Sequence, residues 1–405
     1  MTAGHAMTAG HNVAAGHTVA AGHAATRAPG QAVVRPGVRP VCVLAAAALA
    51  VLLQSCGSSG SGGAGDKVVN VYSWMEYIAP DTVANFEKET GIKVRYDTFD
   101  NNEVLETKLL TGHTNYDVVV PTENFFDRQL RAGVYRKLDK SALPNLENLD
   151  PEILRRMAVH DPGNAYAVPY LWSTTGLGYN VEAVRRRLGD APPDSWALLL
   201  DPANAAKLQD CGIAITDSPL DVFESVLLYL GKDPNRRDPA DLSAASAVLL
   251  KIRPFVRYID PAQYMTDLAN GDICLALAWS GDVGVARSRA AEASKGVKVA
   301  YLIPREGALM TVDMMAIPAD APHPRNAEIW LNYLMRPEVI AAISNHIKYP
   351  NGNAASLPLI QASMKDDPSI YPDAATRRRL HTNEAVPADY TRLLIREWTR
   401  FRTGD

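Results

Sequence analysis

Two short stretches place aromatic rings beside carboxylates where apolar runs end. Tyr72 to Tyr77 (YSWMEY) carries three rings and Glu76 in a chain that is only 7% aromatic, and AWSGD carries Trp279 and Asp282. A third acid, Asp313, lies among Met310, Val312, Met314 and Ala316. A carboxylate withdrawn from water is costly unless a cation or several donors meet it. An alkylammonium supplies that charge, and a cation over the face of Trp or Tyr gains roughly 0.5 to 2 kcal/mol per contact. A slot with acids at its ends and rings along its sides therefore suits a short flexible diamine. Taken singly, the same residues fit plainer roles. Trp74 and Trp279 can be core packing, Asp282 can cap a helix starting at Val283, and Asp313 can be held by an Arg or by backbone amides. Their recurrence together at strand ends favours binding.

The elements that must position them follow from periodicity. KVVNVYSW reads as a strand, then a helix opens at Pro80-Asp81 with Val83 and Phe86 on one face and stops at Gly91. IKVRYDTF is the next strand, NEVLETKLL the next helix, and YDVVVP a third, nearly continuous apolar strand. This β-α-β-α-β order implies a parallel sheet covered on both faces. Glu76 and Tyr77 follow its first strand and Pro121-Thr122-Glu123-Asn124 follows its third. In open α/β sheets that carboxyl edge is where ligands bind. DICLALAWSGD and ALMTVDMMAIP read as later strands, and AYAVPYLWSTTGLGYN as a strand suited to cross between two lobes.

Ahead of this α/β body lies a leader. Val41 to Leu53 is an unbroken apolar run, preceded by Arg27, Arg35 and Arg39, and no acid occurs before Asp66. Its length suits a signal peptide better than a membrane span. Leu53-Gln54-Ser55-Cys56 resembles the bacterial lipobox, in which the Cys is lipidated, although ordinary cleavage beside a chance Cys is the alternative. Residues 1–56 are thus expected to be a leader and the Gly/Ser-rich residues 57–66 a flexible tether. The Ala-Gly-His repeat carrying His5, His11, His17 and His23 falls within the leader and receives no role.

Without the leader the chain keeps 38 basic and 45 acidic residues, a formal charge of −7. Mild acidity fits a small cationic ligand and argues against nucleic acid, whose binders need a basic face. Cys211 and Cys274 are the two Cys of the body, candidates for one disulfide in an exported protein. GLGYN lacks the third Gly of a dinucleotide loop, and no Walker loop, nucleophile elbow or His-Glu-x-x-His motif occurs. His113, His160, His323, His346 and His381 have no metal-ligand spacing. The sequence therefore points away from catalysis, from a bound metal and from any cofactor.

The segments YSWMEYIAPDTVANFEKETGIKVRYDTFDNNEVLETKL, YDVVVPT, VPYLWSTTGLGYN, LANGDICLALAWSGD and IPREGALMTVDMMAIPADA together resemble the periplasmic polyamine-binding proteins of ABC importers, most nearly the putrescine branch. The resemblance runs from about Val68 to about Trp398. It implies an α/β, type II periplasmic-binding fold whose two lobes close on a ligand, working as a monomer with the permease subunits of an importer. Lobe one is expected over 67–171 plus 292–337, and lobe two over 172–291 plus 338–405.

By matching motif, the resemblance also implies site residues. Trp74 and Tyr77 stand at ligand-stacking positions with Glu76 beside them, and Thr122 at a small hydroxyl position. Asp221 aligns with an acid that is usually Glu. Trp279 and Asp282 match the ring and ammonium-binding acid of the second lobe, Asp313 another ligand acid, and Tyr349 a late pocket aromatic. Cys211 and Cys274 coincide with a Cys pair of the putrescine branch. Met75 replaces a small polar residue, and Thr311 stands where relatives have Phe or Trp. With the shorter Asp221, Thr311 should widen the pocket, so spermidine or agmatine joins putrescine as an expected ligand. Two other uses of such a fold remain open: a tethered sensor that presents its liganded form to a membrane receptor, and capture of a different cationic metabolite.

Overall fold

The computed structural model describes residues 67–190 and 194–404. The expected leader, Cys56 and the tether lie outside the described residues.

Ten strands form one hydrogen-bonded mixed sheet. They are β1 (Val68–Trp74), β2 (Lys93–Phe99), β3 (Val118–Val119), β4 (Ala167–Asn180), β5 (Ile213–Ile215), β6 (Tyr258–Ile259), β7 (Leu275–Trp279), β8 (Val299–Leu302), β9 (Ala308–Ala316) and β10 (Leu380–His381). The order is β2-β1-β3-β9-β4-β7-β5-β6, with β8 on β4 and β10 on β9. The first three strands are parallel, as their crossover helices require. β2 carries Lys93, Arg95 and Asp97 along the outer edge, which discourages pairing with another chain. β3 pairs over only two residues, and the fully buried Asp117 before it accepts at its side chain from the amides of Asn70 and His323.

Side-chain alternation divides the apolar residues among distinct cores. Val69 and Val71 of β1 pack with Trp330 on one face, while Tyr72 packs with Val312 and Met314 on the other. In the second lobe Leu275 and Leu277 of β7 join Trp196 and Trp398, whereas Ala276 and Ala278 join Tyr264 and Val283. β4 links the two: Ala167–Thr175 pairs with β9 and Thr175–Tyr179 with β7. Gly178 makes the second packing possible, since a Cβ there would lie 2.6 Å from a methyl of Val283.

Strand pairing and packing show where the chain passes between the lobes. Trp172 packs with Val312 in the first lobe, which moves the crossing in β4 to about Thr175. β8 pairs with the second-lobe half of β4, so the next return follows Leu302 and not residue 291. Ile340, Ile343 and Ile347 pack with Val71, Ile360 packs with Ala341, and Leu380 packs with Val312. The segment after residue 337 therefore stays with the first lobe through β10, and the helix Ala388–Thr403 returns to the second. A disulfide joins Cys211 to Cys274, tying the entry of β5 to that of β7 with Cα atoms 5.5 Å apart.

Candidate functional site

The carboxyl end of β1 opens into a tight turn in which Glu76 adopts a left-handed backbone, φ 55°. The turn leaves Met75 61% exposed and Glu76 exposed at the rim while Tyr77 turns back into the protein. The Tyr77 hydroxyl donates to Asp313 Oδ2 at 2.5 Å, and Tyr170 donates to the Tyr77 carbonyl at 2.9 Å. Trp74 leans on Phe99 with ring centres 4.6 Å apart.

Asp313 sits in β9 facing Thr122 across an isolated antiparallel bridge. It is 7% exposed, and burial pushes its carboxyl up to about 7, against the pull of the Tyr77 hydroxyl and the Trp74 indole. The held-by-Arg alternative does not apply, since its hydrogen-bond partner is the Tyr77 phenol. Thr122 spends its hydroxyl on Asn124 Oδ1 at 2.7 Å and accepts from Asn102 at 3.0 Å. Thr311 lies two residues before Asp313, opposite Ser173 of β4.

The second lobe supplies two more acids. Trp279 ends β7 and the helix Ser280–Ala293 begins at once, so Asp282 sits in its first turn and is not the cap of a helix starting at Val283. Asp282 accepts from Tyr264 at Oδ2 and from Tyr349 at Oδ1, the latter at 2.8 Å. Burial raises its pKa, opposed by those two hydroxyls and by Arg289, and aided by Glu76. Asp221, 8% exposed on the helix Pro219–Tyr229, accepts from Ser218 at 2.7 Å and from the Trp279 indole at 3.0 Å. Burial raises its pKa too.

Tyr349 spans the lobes. It packs beside the first-lobe core, its ring lies 5.3 Å from that of Tyr77, and its hydroxyl reaches Asp282. At the mouth, Arg289 of the second lobe comes within 3.9 Å of Glu76 of the first.

The sequence-derived residues thus separate by depth. Tyr77, Asp221 and Asp313 are buried, Trp74, Thr122, Trp279, Asp282, Thr311 and Tyr349 half-buried, and Met75 and Glu76 exposed. Sequence reasoning missed Tyr264, Tyr170 and Ser218, which hold the acids or their partners in place. Tyr264 lies within a helical apolar pattern and reads there as ordinary core. Three carboxyl groups meeting phenol and indole donors, whose ionisation burial disfavours until a cation arrives, form an arrangement that holds a cation and offers no activated nucleophile. Among the described residues no cluster of three or more His, Cys, Asp or Glu could hold a metal.

A mixed sheet divided into two lobes, with polar and aromatic side chains converging between them, is the architecture of a solute-binding protein. Residues 81–372 match the bacterial extracellular solute-binding protein family, and the chain belongs to that family, whose members bind solutes for transport and are not enzymes. The putrescine-binding periplasmic protein PotF of Escherichia coli is 52% identical over 349 residues, covering 86% of this chain and 94% of the relative. SpuD, a putrescine-binding periplasmic protein of Pseudomonas aeruginosa, is 47% identical over 357 residues, covering 88% and 97%. Among solved structures, a putative spermidine/putrescine ABC transporter protein of Listeria monocytogenes superposes with a TM-score of 0.74 at 29% identity, covering 84% of this chain and all of that one.

Proposed function

We propose that this protein captures a polyamine between its lobes and delivers it to the permease of an ABC importer, with putrescine as the first ligand and spermidine or agmatine as further ones. The observation that carries the reading is the set of three acids, the buried Asp313 from one lobe and the buried Asp221 and half-buried Asp282 from the other, whose nearest partners are hydroxyl and indole groups. A protonated diamine supplies the charges that these groups do not, and Trp74, Tyr77, Trp279 and Tyr349 give its methylenes apolar walls. The printed roles of the relatives agree with this.

Because the acids are divided between the lobes, a dication contacts both and favours the closed arrangement over the open one. Closure then presents the surface that the permease reads. Export by the leader and anchoring through a lipid on Cys56 would keep the monomeric protein at a membrane face of the periplasm. Thr311 and the shorter Asp221 leave room for a longer or bulkier amine, while Met75 removes a hydrogen-bonding group from the mouth of the site.

Calorimetric titration of protein stripped by unfolding and refolding, against putrescine, cadaverine, spermidine, spermine and agmatine, tests the reading. Micromolar or tighter binding of one of them is expected. Folded protein that binds none would leave only the fold and the family.

A further inference from the structure

Glu123 opens the helix Glu123–Arg131 and is fully buried. Its Oε2 accepts from the backbone amide of Val312 at 2.8 Å, one residue before Asp313. Its Oε1 is buried and has no hydrogen-bond partner, and the same is true of Asp313 Oδ1. The bridge between Thr122 and Asp313 sets the two acids on adjoining backbone, so two orphan carboxyl oxygens stand in one dry region. A helix-terminal acid tied to β9 accounts for Oε2 but leaves Oε1 unexplained.

The charged groups facing Glu123 are acids: Asp313 from β9 and Asp221 from the second-lobe helix, each of which adds to the effect of burial in raising its pKa. The cations of its own helix are engaged elsewhere, Arg128 with Glu106 and Arg131 with Asp127. These groups leave positive charge lacking at this end of the cleft.

We infer that Glu123 is a fourth acid of the ligand site and a specificity determinant, its Oε1 standing with Asp313 Oδ1 where a further amine group would sit and so strengthening the binding of amines of three or more positive charges more than that of diamines. This rests on the polyamine reading. Four acids facing a diamine keep protons on those carboxyls the two ammonium groups do not serve. A triamine displaces one proton more: the carboxyl O–H proton leaves to solvent, and an amine N–H takes its place on the oxygen.

The test titrates wild type, Glu123→Gln and Glu123→Ala with putrescine and spermidine near neutral pH in two buffers of different ionisation heat. Wild type is expected to release more protons per spermidine than per putrescine. Both variants are expected to lose at least about tenfold in spermidine affinity while putrescine stays within about threefold. An unchanged affinity ratio, or equal proton release by the two amines, overturns the inference while leaving the polyamine reading intact. If neither variant folds, the proton count on wild type decides alone. Folded wild type that binds neither amine overturns both.

Discussion

The Tyr349 hydroxyl, carried by the first lobe, donates to Asp282 Oδ1 of the second at 2.8 Å. Gly281 makes this reach possible: a Cβ there would stand 1.7 Å from the Tyr349 ring. Gly281→Ala must therefore push the ring away or shift the helix start. Its expected effect is a loss of at least about tenfold in polyamine affinity, about 1.4 kcal/mol. Tyr349→Phe keeps the ring and removes one hydrogen bond, for a smaller loss of about 1 kcal/mol. Titration of both, beside their melting temperatures, checks the order; an alanine at 281 that binds like wild type would show that Tyr349 does not need this position.

Asp313 gives a pH signature. Its carboxyl is raised from 3.8 to about 7 by burial, so the folded ligand-free protein holds a proton that the unfolded chain gives up in that window. The stability contributed by the neutral acid is complete below the unfolded value and is lost as pH rises through the folded one, by at most about 1.4 kcal/mol per pH unit. Binding runs the other way, since an ammonium needs the ionised acid and affinity should climb as pH rises through about 7. Subtracting the Asp313→Asn stability profile from that of wild type isolates the term. A flat difference between pH 4 and 7 would refute it.

Much of this arrangement is legible in the chain. The β-α-β-α-β opening, the long crossing strand and the rings beside Glu76 and Asp282 follow from periodicities of two and 3.6 residues and from composition. What escapes is tertiary. Tyr264 reads as core because its helix gives no hint that Asp282 lies against its hydroxyl. Glu123 falls with Thr122 at the carboxyl edge of the third strand, but only packing shows that it is withdrawn from water. The points of return between lobes are set by β8 and the helix Pro337–Ile347, which choose their neighbours through pairing and packing that no local pattern announces.

The disulfide offers a prediction independent of the ligand. Cys211 and Cys274 are separated by 63 residues, and opening a loop of that size frees unfolded-chain entropy worth about 4 kcal/mol. Reduction should lower the melting temperature of the ligand-free protein while leaving polyamine affinity within about twofold, because no site acid hydrogen-bonds to either Cys among the described residues. Finding two free thiols in air-oxidised folded protein would remove the bridge from the account.

The contrast between Asp282 and Glu76 separates the interior of the site from its rim. Asp282 receives two tyrosine hydroxyls, one from each lobe, so replacing it with Asn keeps the shape and removes the charge that an ammonium would meet. At least a tenfold loss of affinity, about 1.4 kcal/mol, is expected, and it should persist in high salt because the surroundings are dry. Glu76 is exposed and its ion pair with Arg289 is 3.9 Å long, a geometry worth about 0 to 1 kcal/mol and screened by salt. Glu76→Ala should therefore change affinity by less than about threefold at low ionic strength and not measurably at high. Titration of both variants at two salt concentrations distinguishes them. If Glu76→Ala weakens binding as much as Asp282→Asn, the ammonium lies at the mouth and the buried acids serve the fold instead.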